Sequence, residues 1–374
     1  MMFFTTAFRP FFPAAAGWAV IALVVWLCLL TEKITLPSRF DPMNWHIHEM
    51  LFGFIMAGIA GFLLTAIPNW TDRKPVSGMP LAVLFWLWCL GRLACLLSAS
   101  VPAPLAIAAD LAFPILLEAI VARELLAAGN RRNYPLLVPV GVLGVANLLM
   151  HLGETGLGWR LGIGCVMVLI GVIGGRIVPA FTRNWLKTRG RLTVPEPGRL
   201  DHVAIAASVL GLLASAFMPD AAPSGVLLLI GAALHLLRLA RWRGFAVLAE
   251  PLLLILHVGY KWMAVSLGLL GLSVLVSWVP LAAATHAMTA GAAGTMMLAV
   301  MTRATLGHTG RALHADAVTV ALYGLVQLAA LLRVAAAWPT EMGFSLLVAS
   351  AACWIGAFAT FAVHYGGMLL ARGR

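Results

Sequence analysis

Charge is what this chain most lacks. Asp, Glu, Lys and Arg together make up 10% of its 374 residues, only 14 residues are acidic, and 62% are hydrophobic. No water-soluble domain of this length buries that much apolar surface, so lipid is the solvent for most of the chain. A cysteine framework is missing too. Cys28, Cys89, Cys95, Cys165 and Cys353 stand singly in apolar runs without a CxxC pair, and they read as small buried residues. No cleavable targeting segment is expected, because Met1 to Pro13 is short, contains Arg9 and runs into a stretch too long for a signal-peptide core.

What is present is a series of apolar runs of roughly 17–25 residues, the length that crosses a hydrocarbon core. They fall near 14–31, 46–68, 79–99, 105–127, 134–152, 159–181, 200–218, 223–241, 249–272, 278–301, 315–337 and 344–370. The expected fold is all-α: a polytopic integral membrane helical bundle of about 12 transmembrane helices, with 1–374 as a single transmembrane domain. The longest polar interruption runs from Thr182 to Asp201, with five basic residues and the turn signal Pro195-Glu196-Pro197-Gly198. It parts the chain into two groups of about six spans, and no motif repeats between them.

The formal net charge of +11 raises the question of a nucleic-acid partner, and its placement answers it. Of the 25 Lys and Arg, 18 fall at the termini and one set of alternating connections: Arg9; Arg73 and Lys74; Arg123, Arg131 and Arg132; Arg183, Lys187, Arg189, Arg191 and Arg199; Arg238, Arg241 and Arg243; Arg303 and Arg311; Arg372 and Arg374. The opposite connections carry Lys33, Arg39 and Arg160. This is the positive-inside pattern, and it places both termini in the cytoplasm. The basic charge orients the protein in a lipid bilayer; no nucleic acid is expected.

Ten histidines in such a chain stand out, because an imidazole in hydrocarbon must hydrogen-bond, pair or ligate. His46 and His48 sit at the outer mouth of the second span and His151 closes the fifth on the same side. His286 and His257 lie about 12 Å from the outer and inner ends of their spans, and His364 about 10 Å from the inner end of the last. His202, His235, His308 and His314 belong to the inner side. Imidazole is the commonest protein ligand of copper and zinc and a frequent axial ligand of haem iron, so the outer-to-central set is the candidate ligand group, against ordinary interhelical hydrogen bonding. His202, His235 and His314, near water or beside Arg, read as ordinary polar residues.

In Trp45-His46-Ile47-His48-Glu49-Met50 the two imidazoles point about 200° apart on a helix, so one metal does not easily take both. Glu49 suits the helix start and can orient a ligating imidazole or carry protons. On the ninth span, Glu250, Leu254, His257 and Lys261 share one helical face, with Tyr260 beside it. A buried Lys261 must pair, lose its proton or face an anion such as a haem propionate, and Arg176 and Arg333 are similar candidates, Arg92 a weaker one. After His286 the tenth span carries small residues at 287, 290, 291 and 294, which let a neighbouring helix or a flat cofactor approach closely.

These segments carry a resemblance. Phe8-Arg9-Pro10-Phe11-Phe12, the run Trp45 to Phe54, Gly61 to Trp70, Gly175-Arg176-Ile177-Val178-Pro179 to Asn184, His257-Val258-Gly259-Tyr260 and the stretch His286 to Arg311 resemble the NnrS family of bacterial membrane proteins. The resemblance implies a haem- and copper-containing inner-membrane protein linked to nitric oxide in denitrification and nitrosative stress. On that basis haem b and copper are the expected cofactors. His48, His257 and His286 are the leading haem or copper ligands, His46 and His151 follow as metal ligands, and His308 is an inner-side haem candidate. Glu49 and Tyr260 are the expected catalytic proton or hydrogen-bond partners. A reductive reaction on nitric oxide also needs an electron donor; no cytochrome c docking domain is visible, and a cytoplasmic or quinol donor fits. Two other readings stand beside this one: a transporter of a metal, haem or nitrosyl complex, and a haem-based nitric oxide sensor without turnover.

Overall fold

The computed structural model describes residues 2–191 and 194–370, and it contains helices and no strand among them. Arg372 and Arg374, counted above with the inner basic residues, lie outside the described residues. In chain order the spans are α1 (Phe8–Leu30), α2 (Pro42–Thr71), α3 (Met79–Leu96), α4 (Ala103–Ala127), α5 (Arg131–His151), α6 (Thr155–Lys187), α7 (Arg199–Phe217), α8 (Ala222–Arg241), α9 (Pro251–Leu275), α10 (the contiguous Leu281–His286, Ala287–Gly294 and Thr295–His308), α11 (Ala317–Ala335) and α12 (Gly343–Leu370). Eleven of these are long and apolar enough to cross a bilayer. The other, α10, is less apolar because His286 and a series of Thr, Gly and Ala replace large aliphatics. Its middle segment is enclosed by protein, with all but Thr289 of Ala287–Gly294 buried. The chain is therefore a polytopic helical membrane protein.

The observed bounds follow the apolar runs closely, and the departures have local causes. α1 starts at Phe8 instead of near 14 because Arg9, on its first turn, is buried and donates from a guanidinium NH to the Leu369 carbonyl at 2.7 Å. α6 runs on to Lys187 as a polar, amphipathic extension.

Sequence reading gives no hint of three π-helical segments, Glu49–Ile55 in α2, Ile170–Gly174 in α6 and Ala287–Gly294 in α10. They recur every fourth span. A π segment widens the helix by one residue per turn and re-aims the neighbouring side chains. Its carbonyls also attract outside donors: Gly53 O accepts from Trp88 Nε1 at 3.0 Å, and Gly171 O from Arg238 at 3.3 Å.

The chain divides into two compact units. The first comprises Met1–Cys165, Ala304–Arg311 and Phe358–Arg374. Its core is aromatic, with Phe11, Phe12 and Phe52 fully enclosed and Phe54 edge-on to Phe358 at 5.0 Å. The second comprises Val166–Arg303 and Ala312–Ala357, and its core is aliphatic around Leu256, Leu267, Leu298 and Val326. Each unit also encloses a polar cluster.

Candidate metal centre

The cluster of the first unit is built at one end of four successive spans. His48 is seven residues into α2, Cys95 closes α3, Asp110 is eight residues into α4, and His151 ends α5. Successive spans run in opposite directions, so the start of α2 and α4 and the finish of α3 and α5 share one side. That side is opposite the basic connections, and the four residues lie within about 10 Å of the helix ends there. Asp41 caps α2, accepting from the Met43 and Asn44 amides at 3.0 and 3.1 Å. Slight burial works against ionising Asp41, yet the hydrogen bonds from Asn44 and Met43 prevail and hold its carboxyl below the ordinary 3.8.

One ligand atom from each of His48, Cys95, Asp110 and His151 lies within 4.8 Å of the others, and all but His151 are fully buried. Asp110 Oδ2 lies 3.1 Å from His48 Nε2 and 3.0 Å from His151 Nε2, so one carboxylate oxygen bridges two imidazoles. Asn147 Oδ1 is 3.1 Å from the same His48 nitrogen. Around this sits a second ring of contacts. Arg92 donates to Glu49 Oε1 at 2.7 Å and to Asp110 Oδ1; Glu49 Oε1 is 3.0 Å from His48 Nδ1, and Glu49 Oε2 accepts from Trp18 Nε1 at 2.9 Å. A Cβ on Gly91 would sit 2.7 Å from Asp110 Oδ1, so α3 carries glycine where α4 brings its carboxylate closest.

Charge counting shows what the cluster lacks. Glu49 and Asp110 carry two negative charges, Arg92 one positive, and the carboxylates are completely buried. One negative charge is left over, and an uncompensated buried charge costs several kcal/mol. His48 faces carboxylate oxygens from both ring nitrogens, and a neutral imidazole has only one N–H to give. A cation between His48, Asp110 and His151, in the form of a proton or a metal ion, resolves both deficits. Two imidazoles, a carboxylate and a thiol form a mixed set of the kind that copper and zinc accept. The chain thus contains a His/Cys/Asp cluster that can bind a metal.

The second unit holds a different network. Tyr260 OH accepts from Arg238 at 2.5 Å and donates to His235 Nδ1 at 2.7 Å, while Arg238 Nε donates to Asp201 Oδ1 at 2.8 Å. A Cβ on Gly175 would sit 2.2 Å from the Arg238 guanidinium, so the glycine after the α6 π segment is what admits it. Here Asp201 is paired with Arg238 and lies 3.7 Å from Arg241, so no negative charge is left over. His257, one turn before Tyr260, is arranged otherwise. Thr182 Oγ1 gives its one hydrogen to Val178 O at 2.8 Å, so it accepts from His257 Nε2 at 2.9 Å. The proton of His257 is therefore on Nε2, and its buried Nδ1 presents a bare lone pair with no hydrogen-bond partner among the described residues.

The other sequence candidates are placed as follows. His46 points away from the cluster and stacks on Trp26 at 4.7 Å, as the 200° offset from His48 requires. His286 immediately precedes the α10 π segment, as His48 precedes that of α2; its Nδ1–H donates to Ala282 O at 2.7 Å, which puts the lone pair on Nε2. Arg333 lies within Coulombic reach of His286. Arg176 is half-buried just after the α6 π segment. His308 is exposed at the end of α10 with its ring 5.5 Å from Phe8. Lys261, expected to be buried, is exposed. The enclosed stripe of α9 runs through Leu253, Leu256, Tyr260 and Leu267, and Lys261 is rotated about 100° from Tyr260 onto the flank.

Cys95 and Asp110 were not among the expected site residues. Asp110 is the lone acid in the first half of an apolar span, an expensive placement that is itself a signal. Cys95 offered none, since a single Cys in a helix is ordinary filler. Comparison with known proteins adds one result about kinship. No curated protein matches the chain. A family model described as the NnrS protein matches residues 2–372, essentially its full length, and the chain therefore belongs to the NnrS family.

Proposed function

We propose that this membrane protein binds copper at His48, Cys95, Asp110 and His151, carries haem b on imidazoles from His257 and His286, and binds or turns over nitric oxide there. The convergence of His48, Cys95, Asp110 and His151 carries the reading, because four ligand atoms of the types that hold copper meet within 4.8 Å, and a metal cation there also balances the charge left over. The bare Nδ1 of His257 and the carbonyl-oriented ring of His286 suit metal ligation in the same way. Reduced haem iron and copper, when bound, supply nitric oxide affinity and one-electron transfer.

The chain's own residues have defined parts in this reading. Glu49 fixes the His48 ring through Nδ1 and is held by Arg92 and Trp18, which makes it the orienting carboxylate and a proton acceptor beside the metal. Tyr260 can pass its hydroxyl proton to His235 Nδ1 and is kept in place by Arg238. Nitric oxide is apolar and partitions into lipid, so a buried centre needs no polar entry channel. Half-buried Arg176 and Arg333 are the cations to offset propionates.

The test is an optical spectrum with metal analysis on protein purified in mild detergent, before and after nitric oxide. The reading expects a Soret band that moves with nitric oxide together with stoichiometric copper. A folded preparation that is colourless and metal-free overturns it and makes transport the leading function.

A further inference from the structure

At the inner end of α3 two surface grooves meet. One, of about 540 Å³, is apolar: Met79, Val83, Trp86 and Leu90 form a stripe along α3, closed on one side by Phe3 and Phe4. Met79 and Trp86 are 69% and 63% exposed, well above what neighbouring protein would leave. The other, of about 440 Å³, is polar and contains Arg73, Lys74, Arg123 and Glu124. They join at Ser77–Pro80, where Gly78 N donates to Phe4 O at 2.7 Å and ties the N-terminal segment to the loop.

We propose that this composite groove is a binding site for one anionic phospholipid of the cytoplasmic leaflet. Two observations select that occupant. Glu124 is bracketed by Arg73 at 2.6 Å and Arg123 at 2.7 Å, so with Lys74 the polar groove keeps two positive charges exposed at headgroup level. The stripe from Met79 to Leu90 is about 16 Å long, and one leaflet of hydrocarbon is about 15 Å deep, so an acyl chain fills it while the phosphate stays beside Lys74. A zwitterionic lipid matches the length but not the charge. A free phosphate matches the charge but not the apolar stripe. The inference is independent of the metal centre.

Native mass spectrometry of the full chain, after exchange into an equimolar mixture of phosphatidylglycerol and phosphatidylcholine, tests it. One phosphatidylglycerol is expected to be retained in preference, and Lys74→Gln with Arg123→Gln to lower that retention about fivefold per charge. Trp86→Ala, on an exposed position that folding does not need, should weaken retention of phosphatidylglycerol while leaving the melting temperature of lipid-free protein unchanged. Equal retention of the two lipids, or an unchanged preference in the charge variant, overturns the proposal. So does inorganic phosphate that displaces the lipid at millimolar concentration, which would mark an anion site alone.

Discussion

Replacing Asp110 by Asn and Arg92 by Gln should pull the buried centre in opposite directions. Glu49, Asp110 and Arg92 sum to one negative charge, with side chains at most 5% exposed. Asp110→Asn leaves Glu49 and Arg92 as a balanced pair, so the metal-free protein loses little stability. Its metal site, however, loses its one charged oxygen ligand and the bridge between His48 and His151. Even changes in residues that only orient ligands lower metal affinity about 10–100-fold, so this loss should exceed that range. Arg92→Gln leaves two buried carboxylates without a counter-charge, at about 3–5 kcal/mol by the measured cost of breaking buried pairs. Added metal supplies the missing cation, so this variant should gain more stability from copper or zinc than wild type does. Melting in detergent with chelator and with metal, alongside bound metal per chain, reads both effects. Metal retained by Asp110→Asn, or an Arg92→Gln variant as stable as wild type under chelator, would refute the charge argument.

Further outcomes follow from other contacts. His46→Ala should leave bound metal unchanged and cost about 0.5–1.5 kcal/mol for its stacking on Trp26, whereas His151→Ala should lower metal occupancy. Tyr260→Phe removes a partner from both Arg238 and His235 and should cost about 1–3 kcal/mol, read as a lower melting temperature with copper content unaffected. Gly91→Ala forces α3 from α4 at Asp110 and should cost about 1–3 kcal/mol while weakening metal binding. Asp41→Ala should cost about 1 kcal/mol as a lost helix cap. Because the Asp41 carboxyl is held below 3.8, its contribution is complete above that pH and fades as pH falls through the lowered value, which an acid titration of wild-type stability against the variant detects.

Much of the architecture was legible because hydropathy and length act independently of packing. Every apolar run became a helix, eleven of them long and apolar enough to cross a bilayer, and α10, the least apolar, was still found as a helix since its Ala and Gly keep it nearly free of charge. The outer mouth of α2 was legible for a different reason: His48 and Glu49 are costly in lipid whatever their partners. Partners themselves lie outside what spacing in one helix specifies. His48 meets His151 and Asp110 from spans far along the chain, and only the fold brings their nitrogens and oxygens to within 3.1 Å. The π segments were invisible because a one-residue widening leaves no compositional trace, yet they set the register of the residues beside them. Lys261 shows the converse error, where the spacing from His257 put it on a shared face and the packing of α9 turned it outward.

The most direct test of the central claim is X-ray absorption at the metal edge on purified protein, wild type and Cys95→Ser. The account predicts nitrogen and oxygen scatterers with imidazole features plus one sulfur at about 2.3 Å, and loss of the sulfur alone in the variant. A wild-type spectrum with no sulfur, or a sulfur that persists in Cys95→Ser, would place the metal elsewhere and contradict the assignment of His48, Cys95, Asp110 and His151.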